Sequence, residues 1–187
     1  MDTIPLSSPG VLLVKPTCQG DERGFFSETS TRRQFADAGI GLGVVQSNQS
    51  LSVAAGTLQG LHDQMPPYDH VPDQLLRYGQ GQFFDVVVDI RHSSLTYDQW
   101  VGAEFSAQSD KQIFVPSGVL HGLLTSESET EILLKCSDYY APECDDALSW
   151  NSRGSDWGPD GAAVLSNKNA AAVSLSVFGS PFTCEDT

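Results

Sequence analysis

The stretch Gln82–Ile90, QFFDVVVDI, constrains the fold more than any other segment of this chain. Its Phe, Val and Ile side chains are the aromatic and β-branched types that suit a pleated surface. Nine residues are far too few for a bilayer-spanning helix, which takes about 20. Gly79-Gln80-Gly81 leads into the run and Ser93-Ser94 follows it, so it reads as a buried strand between turns. Shorter strand candidates are Val11–Lys15, Gly43–Gln46, Thr57–Gly60, Gln112–Val115 and Thr130–Cys136, with Pro116-Ser117-Gly118 among the turns that separate them. Short strands punctuated by Gly, Pro and Ser predict a sandwich or barrel rather than alternating β-α units. One helix is expected near Thr31–Ala38, with Ser30 or Thr31 as N-cap and Gly39 just past its end. A second, short helix starts at Ser166 and runs through Ala172, and Thr183–Thr187 reads as a frayed acidic tail. The fold expected is mainly β, one domain over residues 1–187.

Charge narrows the partners. Asp and Glu number 24 against 10 Lys and Arg, a formal charge of −14 that repels a phosphate backbone and argues against nucleic-acid binding. A small anionic ligand stays compatible, because a few cations in a pocket override net charge. MDTIPLSSPG lacks a basic segment followed by an apolar one, and no stretch reaches membrane-spanning length, so the expectation is a cytoplasmic protein away from membranes. Cys18, Cys136, Cys144 and Cys184 form no CxxC and no metal-type spacing, and read as scattered thiols.

Of the four histidines, His62, His70, His92 and His121, two stand in suggestive frames. Leu61-His62-Asp63-Gln64 closes a strand candidate, and Pro116 to His121 forms a P-x-G-x-x-H turn into the next strand. Inward residues of separate strands converge in a barrel's interior or mouth, where two histidines serve as base and electrophile or as metal ligands. The plain alternative is that each satisfies a local hydrogen bond. Two histidines alone make a poor metal site, and no metal or other cofactor is expected. Asp89 and Arg91 read as a structural pair and Asp85 as a cavity wall or structural acid. Asp63, beside His62, should point away from the cavity by strand alternation. The loop Met65–Pro72 carries Tyr68, Asp69 and His70, candidates for a swinging acid over the mouth.

The fragments DERGFFSE (21–28), VVQSNQS (44–50), LQGLHDQMPP (58–67), QLLRYGQGQFFDVVVDIRHSSLT (74–96), IFVPSGVLHG (113–122), LLKCSDYYAPE (133–143) and LSNKNAAA (165–172), in that order, resemble the dTDP-4-dehydrorhamnose 3,5-epimerase family. The resemblance implies a cupin-type jelly-roll barrel and a homodimer with the N-terminal strand as exchanged element. It also implies a 4-keto sugar on deoxythymidine diphosphate as ligand. The family's chemistry is proton abstraction alpha to the ketone, by a His in an R-G-L-H frame oriented by an Asp. Lys and neighbouring cations stabilise the enolate, and a Tyr delivers a proton on the far face.

Carried over residue by residue, His62 matches the base and His121 the second histidine of the site. Arg23 and Glu28 match positions at the nucleotide diphosphate, Gln46 and Asn48 match a Q-x-N at the ligand, and Lys168 matches a C-terminal lysine. Asp145 stands where the family has Glu. Four positions depart: Gln59 replaces Arg, Gln74 replaces Lys, Leu134 replaces the acid Tyr, and Asn169 replaces the orienting Asp. Leu134 has no proton to give, and two Gln in place of cations weaken enolate stabilisation. An amide in place of an orienting carboxylate costs about four orders of magnitude in a serine-protease triad. The expected activity is therefore a sugar-nucleotide epimerase or isomerase with an altered outcome. A binder that keeps the nucleotide contacts, and a barrel repurposed for another small molecule, stay open beside it. Convergence of Arg23 and Lys168 on one site would favour a nucleotide ligand.

Overall fold

In the computed structural model, which describes residues 1–65, 71–151, 157 and 163–184, the run at Gln82 becomes an interior strand covered on both faces. The strands are β1 (Asp2–Pro5), β2 (Leu12–Lys15), β3 (Cys18–Asp21), β4 (Gly24–Ser27), β5 (Gln46–Ser52), β6 (Leu58–Gln64), β7 (Gln74–Gln80), β8 (Gln82–Asp89), β9 (Trp100–Ser106), β10 (Gln112–Val115), β11 (Val119–Thr125), β12 (Thr130–Cys136) and β13 (Asp145–Ala147). Two short helices, α1 (Arg32–Asp37) and α2 (Asn167–Ala171), complete the list of regular elements that matter for the site.

One antiparallel sheet has the order β1-β2-β10-β7-β12-β5 and the other β13-β6-β11-β8-β9, with β3 and β4 forming a separate hairpin. From β5 to β8, and again from β9 to β13, each strand lies in the sheet opposite its predecessor, which makes the arrangement a jelly roll. Between the sheets, Phe83, Val87, Val119 and Leu123 pack against Leu76, Tyr78, Ile113 and Ile132. On the other face of β8, Val86 and Val88 join Leu58, Leu61, Leu120, Trp157, Leu175 and Phe182. That double burial explains why apolar residues stand on both faces of the run, since alternation survives only where one face meets water. Truncating a side chain such as Leu123 to Ala costs about 2–5 kcal/mol. Phe35 of α1 covers the outer face of the six-stranded sheet with Val14, Leu75 and Phe114.

Both helices carry the expected caps. Thr31 Oγ1 accepts from Gln34 N at 3.3 Å and Ser166 Oγ accepts from Asn169 N at 3.1 Å. Gly39 follows α1 with φ +75°, the left-handed turn that a side chain disfavours.

Several expectations are corrected. Gly43–Gln46 is irregular up to Gln46, where β5 begins; Val44 and Val45 remain exposed ahead of the ladder, with Val45 N donating to the Cys136 carbonyl at the end of β12 at 3.0 Å. β6 does not stop at Gly60 but continues to Gln64. Gly60 is a point of contact rather than a breaker: a Cβ there would sit 2.5 Å from Gly122 Cα and from the His121 carbonyl oxygen. The acidic tail is anchored at its start, with Thr183 bridging His92 and Cys184 N donating to the His92 carbonyl at 2.9 Å; residues 185–187 lie outside the described ones. Within the single chain the N-terminal β1 pairs with β2, Asp2 opposite Lys15, and its expected exchange belongs with the homodimer proposed below.

Candidate active site

The close approach at Gly60 sets β6 against β11 so that His62 and His121 are register partners on neighbouring strands. His62 is partly buried, and among the described residues neither ring nitrogen has a hydrogen-bond partner. Burial first of all, with His121 and Lys168 nearby, pushes its pKa down to about 4 against the opposing pull of Asp145. At neutral pH the ring is therefore uncharged and has a free lone pair. That is the state a general base requires.

His121 is treated in the opposite way. Its Nε2 lies 2.8 Å from Asp85 Oδ2, and the Tyr78 hydroxyl donates to the same oxygen from the facing sheet. Burial, followed by Asp85, holds the Tyr78 phenol far above its ordinary pKa, so it remains a donor. Asp85 thus fixes the imidazole with its Nε2–H spent on the carboxylate and its other edge turned to the interior. The Asp85 reading as cavity wall or structural acid resolves into an orienting partner for His121. Asp89 and Arg91 form the expected structural pair, 2.9 Å apart and fully buried.

Around His62 the walls close from both sheets. An outer cavity of about 180 Å³ is lined by Gln46, Asn48, His62, Gln74, Leu134 and Asp145, together with Asp63, Cys136 and Tyr140. Behind it a smaller hollow of about 90 Å³ reaches Gln59, His121 and Leu123. Gln59 spends its amide nitrogen on Ser50 Oγ (3.1 Å) and Ser52 Oγ (2.9 Å), tying β6 to β5. On the α2 side a third hollow is lined by His62, Asp145, Lys168 and Asn169. Lys168 Nζ is 2.7 Å from Asp145 Oδ2, and the Tyr140 hydroxyl donates to that oxygen at 2.9 Å. Among the described residues no group of three or more His, Cys, Asp or Glu has the arrangement of a metal site.

The family model for dTDP-4-dehydrorhamnose 3,5-epimerase matches residues 5–176. The chain belongs to the dTDP-4-dehydrorhamnose 3,5-epimerase family. It is 39% identical over 172 residues to the enzyme of that name from Sinorhizobium fredii, covering 91% of this chain and 87% of the relative. The epimerase of Legionella pneumophila, solved in complex with dTDP-4-keto-L-rhamnose, superposes with a TM-score of 0.89 at 33% identity, over 95% of this chain and 94% of that one. ChmJ, a 3'-monoepimerase from Streptomyces bikiniensis solved with dTDP-quinovose, superposes with a TM-score of 0.85 at 27% identity, over 92% and 87%.

Against the epimerase pattern, the structure gathers His62, His121, Gln46, Asn48, Gln59, Gln74, Leu134, Asp145, Lys168 and Asn169 about one interior. Arg23 and Glu28 are not gathered. Arg23 sits at the tip of the β3–β4 hairpin with 84% of its side chain exposed and pairs with Asp21 at 2.6 Å, and Glu28 lies at the base of that hairpin beside Gln34. The local sequence Asp21-Glu22-Arg23 supplies the guanidinium with an acid two residues away, which holds it there. Lys168 and Arg23 therefore do not converge within one chain.

Asn169 does not orient His62. It is buried, but its Nδ2 donates to the Leu58 carbonyl at 3.1 Å, since an amide satisfies a backbone acceptor that a carboxylate would repel. Asp63 is the second correction. It lines the cavity and accepts from Gln74 Nε2 at 3.2 Å. At His62 β6 parts from β11 and continues with β13 alone, so strict alternation lapses and Asp63 reaches the opposite sheet. Tyr68, Asp69 and His70 lie outside the described residues. Sequence reasoning passed over Tyr78 and Tyr140 as site residues. A signal for Tyr78 existed: Asp85 is an acid in the middle of the inward period of β8, between Phe83 and Val87, and such a group needs partners from the facing sheet.

Proposed function

We propose that this chain is a sugar-nucleotide epimerase in which His62 removes the proton alpha to the ketone of a dTDP-4-keto-6-deoxyhexose. The observation that carries the reading is the uncharged His62 ring, without a hydrogen-bond partner among the described residues, in a cavity large enough to admit part of a sugar. The C–H electron pair becomes a C=C bond and the ketone oxygen takes up negative charge. His121, held by Asp85 across the ladder, supplies a fixed imidazole to the inner wall of the same space. Gln46, Asn48, Gln74 and Lys168 offer amide and ammonium donors toward a sugar or its diphosphate.

The outcome differs from double inversion on this reading. Leu134 stands where a proton donor would be needed on the far face, so inversion at a single carbon takes its proton there from water, while return of the proton by His62 to its own face exchanges the hydrogen without inverting the carbon. That a 3'-monoepimerase shares the fold supports single-carbon chemistry on this scaffold. The homodimer implied by the family resemblance also belongs to the proposal. Phe25 and Phe26 on the β3–β4 hairpin are 62% and 68% exposed, an apolar pair that a second copy would cover while Arg23 is brought to its ligand.

Incubation with dTDP-4-keto-6-deoxyglucose in heavy water tests the reading. Deuterium should enter C3 or C5 with wild-type protein and fail to enter with His62→Ala. A wild type that washes in no deuteron at saturating ligand refutes it. If dTDP nevertheless raises the melting temperature of that wild type, the chain is a binder of nucleotide sugars.

A further inference from the structure

We infer that Asp63 is a catalytic residue of this site, a carboxylic acid that keeps its proton and donates an Oδ2–H hydrogen bond to the ketone oxygen as it becomes an enolate. The inference rests on the epimerase reading and supplies what that reading lacks, a stabiliser for the enolate where Gln74 replaces a lysine.

The hydrogen-bond pattern is that of a neutral acid. Gln64 N donates to Asp63 Oδ1 at 2.8 Å and Gln74 Nε2 donates to the same oxygen at 3.2 Å. Oδ2 has no hydrogen bond among the described residues, although Asp63 is only 5% exposed and lines the cavity with His62. An ionised carboxylate at that burial would need donors on both oxygens or a cation beside it. Two donors on one oxygen mark that oxygen as the carbonyl, leaving the other as the hydroxyl.

The surroundings agree. Facing Asp63 are His62 on its own strand, Asp145 and Asp146 of β13, Asp73 ahead of β7, Cys136 at the end of β12, and Asp138 and Tyr140 beyond it. None is a cation at neutral pH: His62 is uncharged, and Lys168 is taken by Asp145. Burial foremost, then the charges of Asp73 and Asp145, hold the Asp63 carboxyl well above the usual range against the pull of its two amide donors. Gln74 acts as a positioning residue, and a lysine there would ionise Asp63 and remove the donor.

The step balances without any co-reactant. His62 accepts the C–H proton, the C–H pair forms the C=C bond, and the carbonyl π pair moves to oxygen. Asp63 shares its proton in a hydrogen bond and retains it when the pair returns and carbon is reprotonated. A neutral carboxyl that donates to an enolate oxygen is established chemistry where an apolar site keeps the acid protonated.

Heavy-water exchange with dTDP-4-keto-6-deoxyglucose, followed against pH in wild type, Asp63→Ala and Asp63→Asn, tests the role. Asp63→Ala should exchange about 10²–10³-fold more slowly, the loss typical of an oxyanion donor, while dTDP still raises its melting temperature. Asp63→Asn retains an N–H donor and should stay within about tenfold of wild type. The wild-type rate should fall in alkali as Asp63 ionises, and Asp63→Asn should lack that fall. Wild-type exchange lost in His62→Ala but unchanged in Asp63→Ala overturns the Asp63 role alone. So does an alkaline fall that persists in Asp63→Asn, or an Asp63→Asn as slow as Asp63→Ala. Absence of exchange in wild type overturns the epimerase reading and this inference with it.

Discussion

His62 and His121 are partners in one ladder, yet the protein builds opposite environments for them. His121 is only 6% exposed and is held by Asp85, which Tyr78 holds in turn from the other sheet. Among the described residues His62 has no hydrogen-bond partner, it is uncharged at neutral pH, and it opens on three hollows. On the proposed reading, the difference separates a ring built as scaffold from one left free to act as reagent. A group that must gain and lose a proton is kept out of permanent hydrogen bonds, whereas one that shapes the pocket is locked into them. The asymmetry also bears on what the motifs left open, since two histidines in similar frames admit base, electrophile and structural roles alike.

If the asymmetry is functional, removing the free ring should cost activity and little stability. His62→Ala is expected to lower deuterium exchange by about 10²–10⁴-fold, the range for a positioned general base. Its melting temperature should stay near that of wild type, because no hydrogen bond to a described residue is lost. Comparable losses of stability and exchange would erase the distinction between the rings.

The mirror experiment attacks the held ring. Asp85→Ala leaves the Tyr78 hydroxyl and the His121 Nε2–H without their acceptor in the core, and truncating one partner of a buried polar cluster costs about 3–5 kcal/mol. Urea denaturation should show that loss directly. A variant as stable as wild type would mean that the cluster is dispensable and that His121 is as free as His62.

Acid titration sharpens the contrast at a smaller scale. The pKa of His62 is depressed from 6.5 to about 4, so as pH falls through that interval the unfolded chain takes up a proton that the folded chain refuses. The stability associated with His62 is complete above pH 6.5, declines toward pH 4 and levels below it, a span of about 3 kcal/mol. Asp63 acts with opposite sign, because a raised folded-state pKa gives stability below its ordinary 3.8 that is lost as pH rises. The His62 contribution is therefore the difference between the wild-type and His62→Gln curves of stability against pH. Parallel curves would show that His62 titrates normally and is no buried neutral base.

Much of the architecture was legible in the residues. QFFDVVVDI announced a doubly covered strand, Thr31 with Gly39 and Ser166 marked the helices, and Thr130–Cys136 matched its strand end to end. β1, β3, β4, β7, β9 and β13 were not singled out; in β3, β4 and β7 Gly, Gln and Arg dilute the apolar pattern, and pairing with partners supplies what propensity lacks. Within the site, the residues on adjoining strands were found by colinear motif, while directions of side chains were not. Period two predicts the facing of a residue inside a two-sided ladder, and Asp63 lies where one side of the ladder ends. Asn169 shows the other limit: it lines the hollow beside His62, but its partner, a backbone carbonyl, carries no signature in sequence.

The smallest expected effect comes from giving the free ring a holder. Asn169 lines the α2-side hollow with His62 but turns its amide to the Leu58 carbonyl. In Asn169→Asp the carboxylate is repelled by that carbonyl and finds in the His62 ring the available N–H donor. A carboxylate that accepts from imidazole fixes the tautomer and stabilises the imidazolium formed on proton abstraction. The exchange rate should rise by about tenfold, and the acid limb of its pH profile should move up from the region near pH 4. The opposite shift, a slower exchange with an unmoved acid limb, would show that the Asn169 bond to Leu58 positions β6 itself. The freedom of His62 would then be the condition for activity rather than a loss that a carboxylate repairs.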